Sequence, residues 1–535
     1  MGTKNFNSAT DLITFTRASG GTALRKISYG NELITNGTFD TDISGWTSYN
    51  SVISWDAGLL KVNDSANAGG GSQAYQVVTL EVGKRYRVTG SYENSTASRL
   101  WIDNSSSYVY PIGAAAAFIQ VFLPATTPSV DFAHTFVATA TTTSIALEVD
   151  LQGTAYFDNI SVKEVLFDQA DGTLQLYNHG NNVPRIEYDA TGAVKGLLIE
   201  EARTNLLPYS SVLGYSKLSA ATSTSTVVSP SGLQDAVLVR PIVATGVTWV
   251  YDMTVFNTGV VTTISTFAKA SGKPFVAMAN SNGNVIYASF NLTTGAVGTV
   301  TSGYTANMED FGNGWYRCSV TTPTGFNERA IYAVSDTDGA IAAAANGNDG
   351  ILLYGAQVEA GAFLTSYIPT TGAPATRAID IAEIPTSAFG YNNGAGSIAV
   401  EFKSNKPSSL SYGAFVLSDG GVSNRILHFT SSTAHRGAII TSGVADVNIG
   451  AGSRGAPSEL VKFAIGFSDN NFATSLNGAT AVTDTSVTIP SGISKLGIGY
   501  YYPTNVLSNL INGYIKSIQY YPRRLTDTQL QELTT

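Results

Sequence analysis

At 535 residues the chain exceeds what one hydrophobic core usually serves, which predicts three or four domains. Charged residues make up 13% of it, against roughly 25% in ordinary soluble proteins, the net charge of −9 is thinly spread, and no Lys/Arg run exceeds Arg523-Arg524. That leaves no footprint for nucleic acid, the apolar runs fall short of the ~20 residues of a membrane span, and the single Cys318 excludes an internal disulfide.

From the start, MGTKNFNSATD lacks the basic-then-apolar pattern of a signal peptide, so synthesis in a cytoplasm without export is expected. Strand and turn signals then run almost without interruption. YRVTGSY (86–92), TSIALEVD (143–150) and SIAVEFK (397–403) alternate apolar with polar residues, the period of a half-buried strand. Clusters such as NAGGGS (67–72), SNGN (281–284) and SDGG (418–421) break the runs at intervals that suit β-sandwiches. The fold class is all-β, tandem β-sandwiches, with helix confined to short pieces. The best helix candidate closes the chain, where Thr526 can cap and Asp527, Leu530 and Leu533 follow at helical spacing.

The first sandwich, 31–165, is bracketed by NGTFDTDISGW (36–46) and AYFDNISVKEV (155–165). Both ends resemble those of jelly-roll carbohydrate-binding modules, in which the two strands lie side by side and an acid from each often holds a structural calcium ion. The resemblance puts Asp40 and Asp158 in those places, and calcium takes hard oxygen ligands of this kind. The alternative is that both aspartates cap turns. Candidate aromatic platforms are Trp46, Trp55, Tyr75, Trp101, Tyr108 and Tyr110. Trp46 is expected inside; Trp101, Tyr108 and Tyr110 fall in LWIDNSSSYVYP, a segment too polar to be all core.

ITFTRAS (13–19) ahead of this sandwich, with PRIEYDATG (184–192), GLLIEEARTNLLPYS (196–210), GNGWYRCSVT (312–321) and YGAQVEAGAFLTSYIPTTG (354–372) behind it, resemble tail or fibre proteins of tailed bacteriophages. In that family the first two strings are near neighbours, so the jelly roll reads as an insertion. Residues 1–30 and 166–205 are then expected to form a discontinuous connecting unit with a mounting role. Its Arg17, Arg185, Glu200, Glu201 and Arg203 suit architectural salt bridges.

A second jelly-roll sandwich is expected over 206–375, with Trp315 in its core and Cys318 as a buried small residue rather than a nucleophile. The third, 376–535, ends in NGYIKSIQYYPRRLTDTQLQELTT, which resembles the closing strand and helix of concanavalin-A-like, laminin-G-like domains. Tyr500, Tyr501 and Tyr502 form an aromatic triplet in which alternation leaves at least one ring exposed. His428 and His435 lie seven apart across an expected hairpin, without a third ligand at zinc spacing.

Enzyme signatures are missing: no G-x-S-x-G elbow, P-loop, HExxH or CxxC pair occurs, and Glu401 is a lone acid. Sugar recognition needs aromatic faces with amide, acid and hydroxyl groups around them, and these abound. Trp101, Tyr108, Tyr110, Tyr500, Tyr501 and Tyr502 are the expected carbohydrate contacts. The resemblance implies a non-enzymatic virion surface protein whose partners are host polysaccharide, other virion proteins and further copies of itself, a trimer being favoured. A polysaccharide depolymerase and a purely structural decoration are the alternatives.

Overall fold

The computed structural model describes residues 13–64, 71–94, 96, 98–104, 119–123, 125–149, 153–280, 285–501 and 509–535. It is built almost entirely of antiparallel strands. Two compact units share the chain: Lys26–Thr173 is one, and the residues up to Arg25 with Leu174–Thr535 are the other.

Lys26–Thr173 is a sandwich. One sheet has five strands in the order Thr47–Tyr49, Ser72–Thr79, Thr142–Val149, Ser98–Asp103, Ile119–Leu123. The other is centred on Arg85–Asn94, between Thr126–Val137 and Thr154–Phe167. Alternation sends Leu100, Ile145 and Leu147 inward to meet Val88, Phe157 and Val162. Trp46 lies in this core, 5.6 Å from Phe39 between ring centroids. The two ends of the unit meet, since Asp168 donates its amide to the carbonyl of Lys26 at 2.9 Å.

The larger unit holds two more sandwiches. Residues from Ser216 to Ala360 form two six-stranded sheets whose core includes Phe290, Cys318 and Tyr332. Trp315 is buried on the other face of one of these sheets, with Nε1 donating to the Val228 carbonyl at 3.0 Å. The C-terminal sandwich has two seven-stranded sheets, and its last helix, Asp527–Thr534, begins with a capping box: Gln529 N donates to Thr526 Oγ1 and Thr526 N to the Gln529 side chain.

The described residues of the two segments expected to form a connecting unit, 1–30 and 166–205, do meet, Asn182 N donating to the Arg17 carbonyl at 3.0 Å, and they also supply strands to the C-terminal sandwich. Thr14–Thr16 is an edge strand of the C-terminal sandwich, paired with Ile381–Pro385. Ile186–Tyr188 and Val194–Ile199 extend that sandwich's other sheet through Gly513–Tyr521. The physical reason is burial: Phe15, Leu197 and Ile199 complete the apolar core of the sandwich, which a unit this small cannot provide for itself.

Candidate functional site

Three places carry chemistry. The first is the outer face of the five-stranded sheet. Because Leu100 and Ile102 point inward, Arg99, Trp101 and Asp103 point outward. Register aligns Trp101 with Ala146, and Ala146 with Tyr75. Two half-buried aromatic side chains thus flank one alanine, about 10 Å apart at two strand spacings. The next row is polar: Arg99 Nη1 contacts Glu148 Oε1 at 2.9 Å, and Gln73 Nε2 donates to Glu148 Oε2 at 2.6 Å. Phe122, beside Arg99 on the edge strand, is 59% exposed. Glu148 has a partner on each oxygen and is fully buried, which makes it a fixed floor to this row. Tyr108 and Tyr110 lie outside the described residues. Sequence patterns placed Trp101 and Tyr75 among the candidates but missed Gln73, Arg99 and Glu148, which only strand register brings together.

The second place holds Asp40 and Asp158. The peptide around Gly37 runs so close to the closing strand that its carbonyl accepts from Ile160 N at 2.9 Å, and a Cβ at Gly37 would sit 1.9 Å from the Ile160 carbonyl oxygen. This brings the acids within electrostatic reach: burial first, then the charge of Asp40, push the Asp158 carboxyl up, against a hydrogen bond from Asn159 N. A carboxylate whose ionisation a neighbouring carboxylate makes costlier suits a hard dication. Among the described residues no group of three or more His, Cys, Asp or Glu is placed to hold a metal, so backbone carbonyls and water would fill the remaining positions.

The third place is the C-terminal sandwich, where Tyr500 requires a correction. It is 1% exposed, in the apolar core, with its hydroxyl donating to Glu383 Oε1 at 2.6 Å. No sugar can stack on it; alternation in GIGYYYP points this ring inward. Tyr501 is half-buried against Phe429, 5.5 Å between centroids, and Tyr502 lies outside the described residues. His428 and His435 face each other, Nε2 to Nδ1 at 3.0 Å, among Phe402, Tyr412 and Phe463. Ala414 N donates to His428 Nδ1 at 3.1 Å, so the proton of neutral His428 sits on Nε2 and is given to His435 Nδ1. Both imidazoles are held neutral.

Elsewhere in the larger unit, Arg17, Arg185 and Glu200 of the connecting segments meet in one buried network, while Glu201 pairs with Arg203. Arg17 Nη1 lies 3.2 Å from Asp380 Oδ1, and Arg185 Nη2 lies 2.8 Å from Glu200 Oε2 and also contacts Asp380 Oδ2. Arg377 adds longer contacts to both acids. Ser366 donates its amide and its hydroxyl to Glu200, each at 2.7 Å. Arg377 and Asp380 were missed because ATRAID shows no distinctive spacing.

No family model and no curated protein matches this chain. Among solved structures it is similar to "Family 16 Carbohydrate Binding Module-2", at 17% identity over 24% of this chain and 98% of that one, TM-score 0.20. The N-terminal CBM22-1-CBM22-2 tandem domain from Paenibacillus barcinonensis Xyn10C is similar at 9% identity over 62% of this chain and 98% of that one, TM-score 0.21. Domains LG4-5 of the mouse laminin alpha1 chain are similar at 10% identity over 64% and 94%, TM-score 0.19.

Proposed function

We propose that the protein is a non-enzymatic surface component of a tailed-phage virion, a fibre or spike that attaches the particle to host polysaccharide through its sandwiches. The observation that carries the binding reading is the row Tyr75–Ala146–Trp101 beside the row Gln73–Glu148–Arg99. A pyranose presents an apolar face to an aromatic ring and hydroxyls to polar donors, and here the half-buried Arg99 guanidinium stands beside Trp101, while the buried Gln73 and Glu148 hold it in place. The virion setting is supported by the fibre-like strings and by the weakly charged, Gly-rich composition. A homotrimer would multiply weak sites through avidity.

Trp101→Ala tests the reading. Aromatic contacts are worth about 0.5–1.5 kcal/mol beyond area burial, roughly a two- to twelvefold loss per site, and an oligomer compounds it. Cell adsorption is expected to fall with the melting temperature little changed, because Trp101 stands outside the core. Adsorption equal to wild type at equal stability sinks this face as the binding site. Purified protein is expected to release no reducing ends from host polysaccharide; depolymerisation would establish the enzymatic alternative.

Calcium between Asp40 and Asp158 belongs to the same proposal and has its own signature. Chelator is expected to lower the melting temperature of the wild-type protein. Asp158→Asn should abolish that response and, in chelator, melt at or above wild type, because one of two repelling carboxylates is gone. A wild-type protein indifferent to both chelator and added calcium removes the ion.

A further inference from the structure

Between the second and third sandwiches of the larger unit lies a cavity of about 700 Å³, within the 300–1,000 Å³ range of small-molecule sites. One wall is the outer face of the second sandwich, where Glu309 and Arg317 are register neighbours on adjacent strands. The facing wall carries Glu187, Lys195 and Tyr514 of the C-terminal sandwich. Thr305 and Asn307 lie at an exposed rim, while Glu187 and Arg317 sit at the buried end.

Most charges here are matched. Lys195 pairs with Glu309 across the cavity and lies 4.9 Å from the centroid of the Tyr514 ring. Glu200 is held by Arg185 and Ser366. Two buried groups keep polar atoms without a partner. Arg317 is 5% exposed, its Nε and Nη2 have no hydrogen-bond partner, and among the described residues no acid is in ion-pair range of it. Its Cζ stands 5.1 Å from the centroid of Phe267. Glu187 is 6% exposed with Oε2 unpartnered. Burial holds its carboxyl up at about 7, with Lys195 drawing it down and Glu309 and Glu200 raising it.

Lone buried charges are costly, and a cation and a carboxyl that line one cavity without touching call for a ligand that satisfies both. The guanidinium fork matches a carboxylate. A carboxyl such as Glu187 bonds a hydroxyl in either protonation state. We propose that this cavity is a second saccharide site, which takes a carboxylate-bearing sugar with its carboxylate on Arg317 and a ring hydroxyl on Glu187. The choice of a sugar rests on the attachment reading above; the pairing of carboxylate with Arg317 does not.

Titration of the full-length protein with sodium D-galacturonate, D-galactose and sodium acetate, followed by calorimetry or ligand-observed NMR, tests it. Galacturonate is expected to bind at least tenfold more tightly than either of the others. Arg317→Met should lose at least tenfold of that affinity, with the melting temperature measured alongside to show that the variant folds. Arg317→Lys keeps the charge but not the planar fork and should lose several-fold, which gives the same reading if the methionine variant does not fold. Equal binding of galactose or acetate, no binding of galacturonate, or wild-type affinity in both variants overturns the site. Galacturonate binding by a protein that adsorbs to no cell would sink the attachment reading and leave this one standing.

Discussion

Asp380→Ala is expected to destabilise the larger unit by about 3–5 kcal/mol, the usual cost of removing one partner from a buried ion pair. Asp380 is fully buried and contacts Arg17 and Arg185, with Arg377 nearby and Glu200 N donating to it at 2.9 Å. Without it, Arg17 and Arg185 stay buried with only carbonyls, Glu200 and Ser366 around them. Asp380→Asn should recover part of the loss, because the amide keeps the volume and one acceptor. Denaturant unfolding of the full chain measures both. Removing the exposed Lys516–Glu401 pair is the contrast, worth at most about 1 kcal/mol. A loss below about 1 kcal/mol for Asp380→Ala would mean that the network is not what ties these segments together.

Acidification is expected to weaken the C-terminal sandwich in an earlier and separate window. Burial, then the charge of Arg454, lowers His435 from its ordinary 6.5 to about 4, and burial, His435 and Arg454 hold His428 well below its usual range. A group whose pKa is lower folded than unfolded takes up its proton more readily in the unfolded chain. Stability is therefore full above pH 6.5 and falls as the pH drops towards 4. At roughly 1.4 kcal/mol per pH unit, His435 alone accounts for a loss of about 3 kcal/mol. The network responds later: although burial opposes it, Arg377 and Arg185 lower Glu200 to about 2, so its contribution is present above its ordinary 4.5 and is lost as the pH falls through 2. Unfolding followed between pH 8 and pH 4 should show the first slope, and His435→Gln should make it shallower, leaving the part that belongs to His428. A variant with the wild-type slope would assign the acid sensitivity elsewhere.

Much of the fold could be read from alternation alone, because strands such as SIAVEFK carry their inward and outward faces in the order of their letters. The closing helix was equally legible, since a capping box is a local pattern. What failed were inferences that need a partner from far along the chain. Tyr500, Tyr501 and Tyr502 alternate, but nothing local says that Tyr500 points towards Glu383. Arg17, Arg185 and Glu200 read as architectural from type and context, yet Asp380, which joins them, lies some 180 residues beyond Glu200. The row of Tyr75 and Trp101 depends on the register of Thr142–Val149 between two other strands. Arg317 and Glu187 become notable only once two sandwiches enclose a space between them.

The strand Thr14–Thr16 has its partner at Ile381–Pro385, and Arg17 its counter-charge at Asp380. At synthesis rates of about 5–20 residues per second, the early strand waits on the order of 20–70 seconds for the other half of its ladder. Lys26–Thr173, by contrast, is complete long before that and draws its core from within itself. Lys26–Thr173 is therefore expected to fold first during synthesis, while the earlier-emerging edge strand waits unpaired. A short strand of three residues, two of them threonine, is a poor nucleus for stray pairing during that wait.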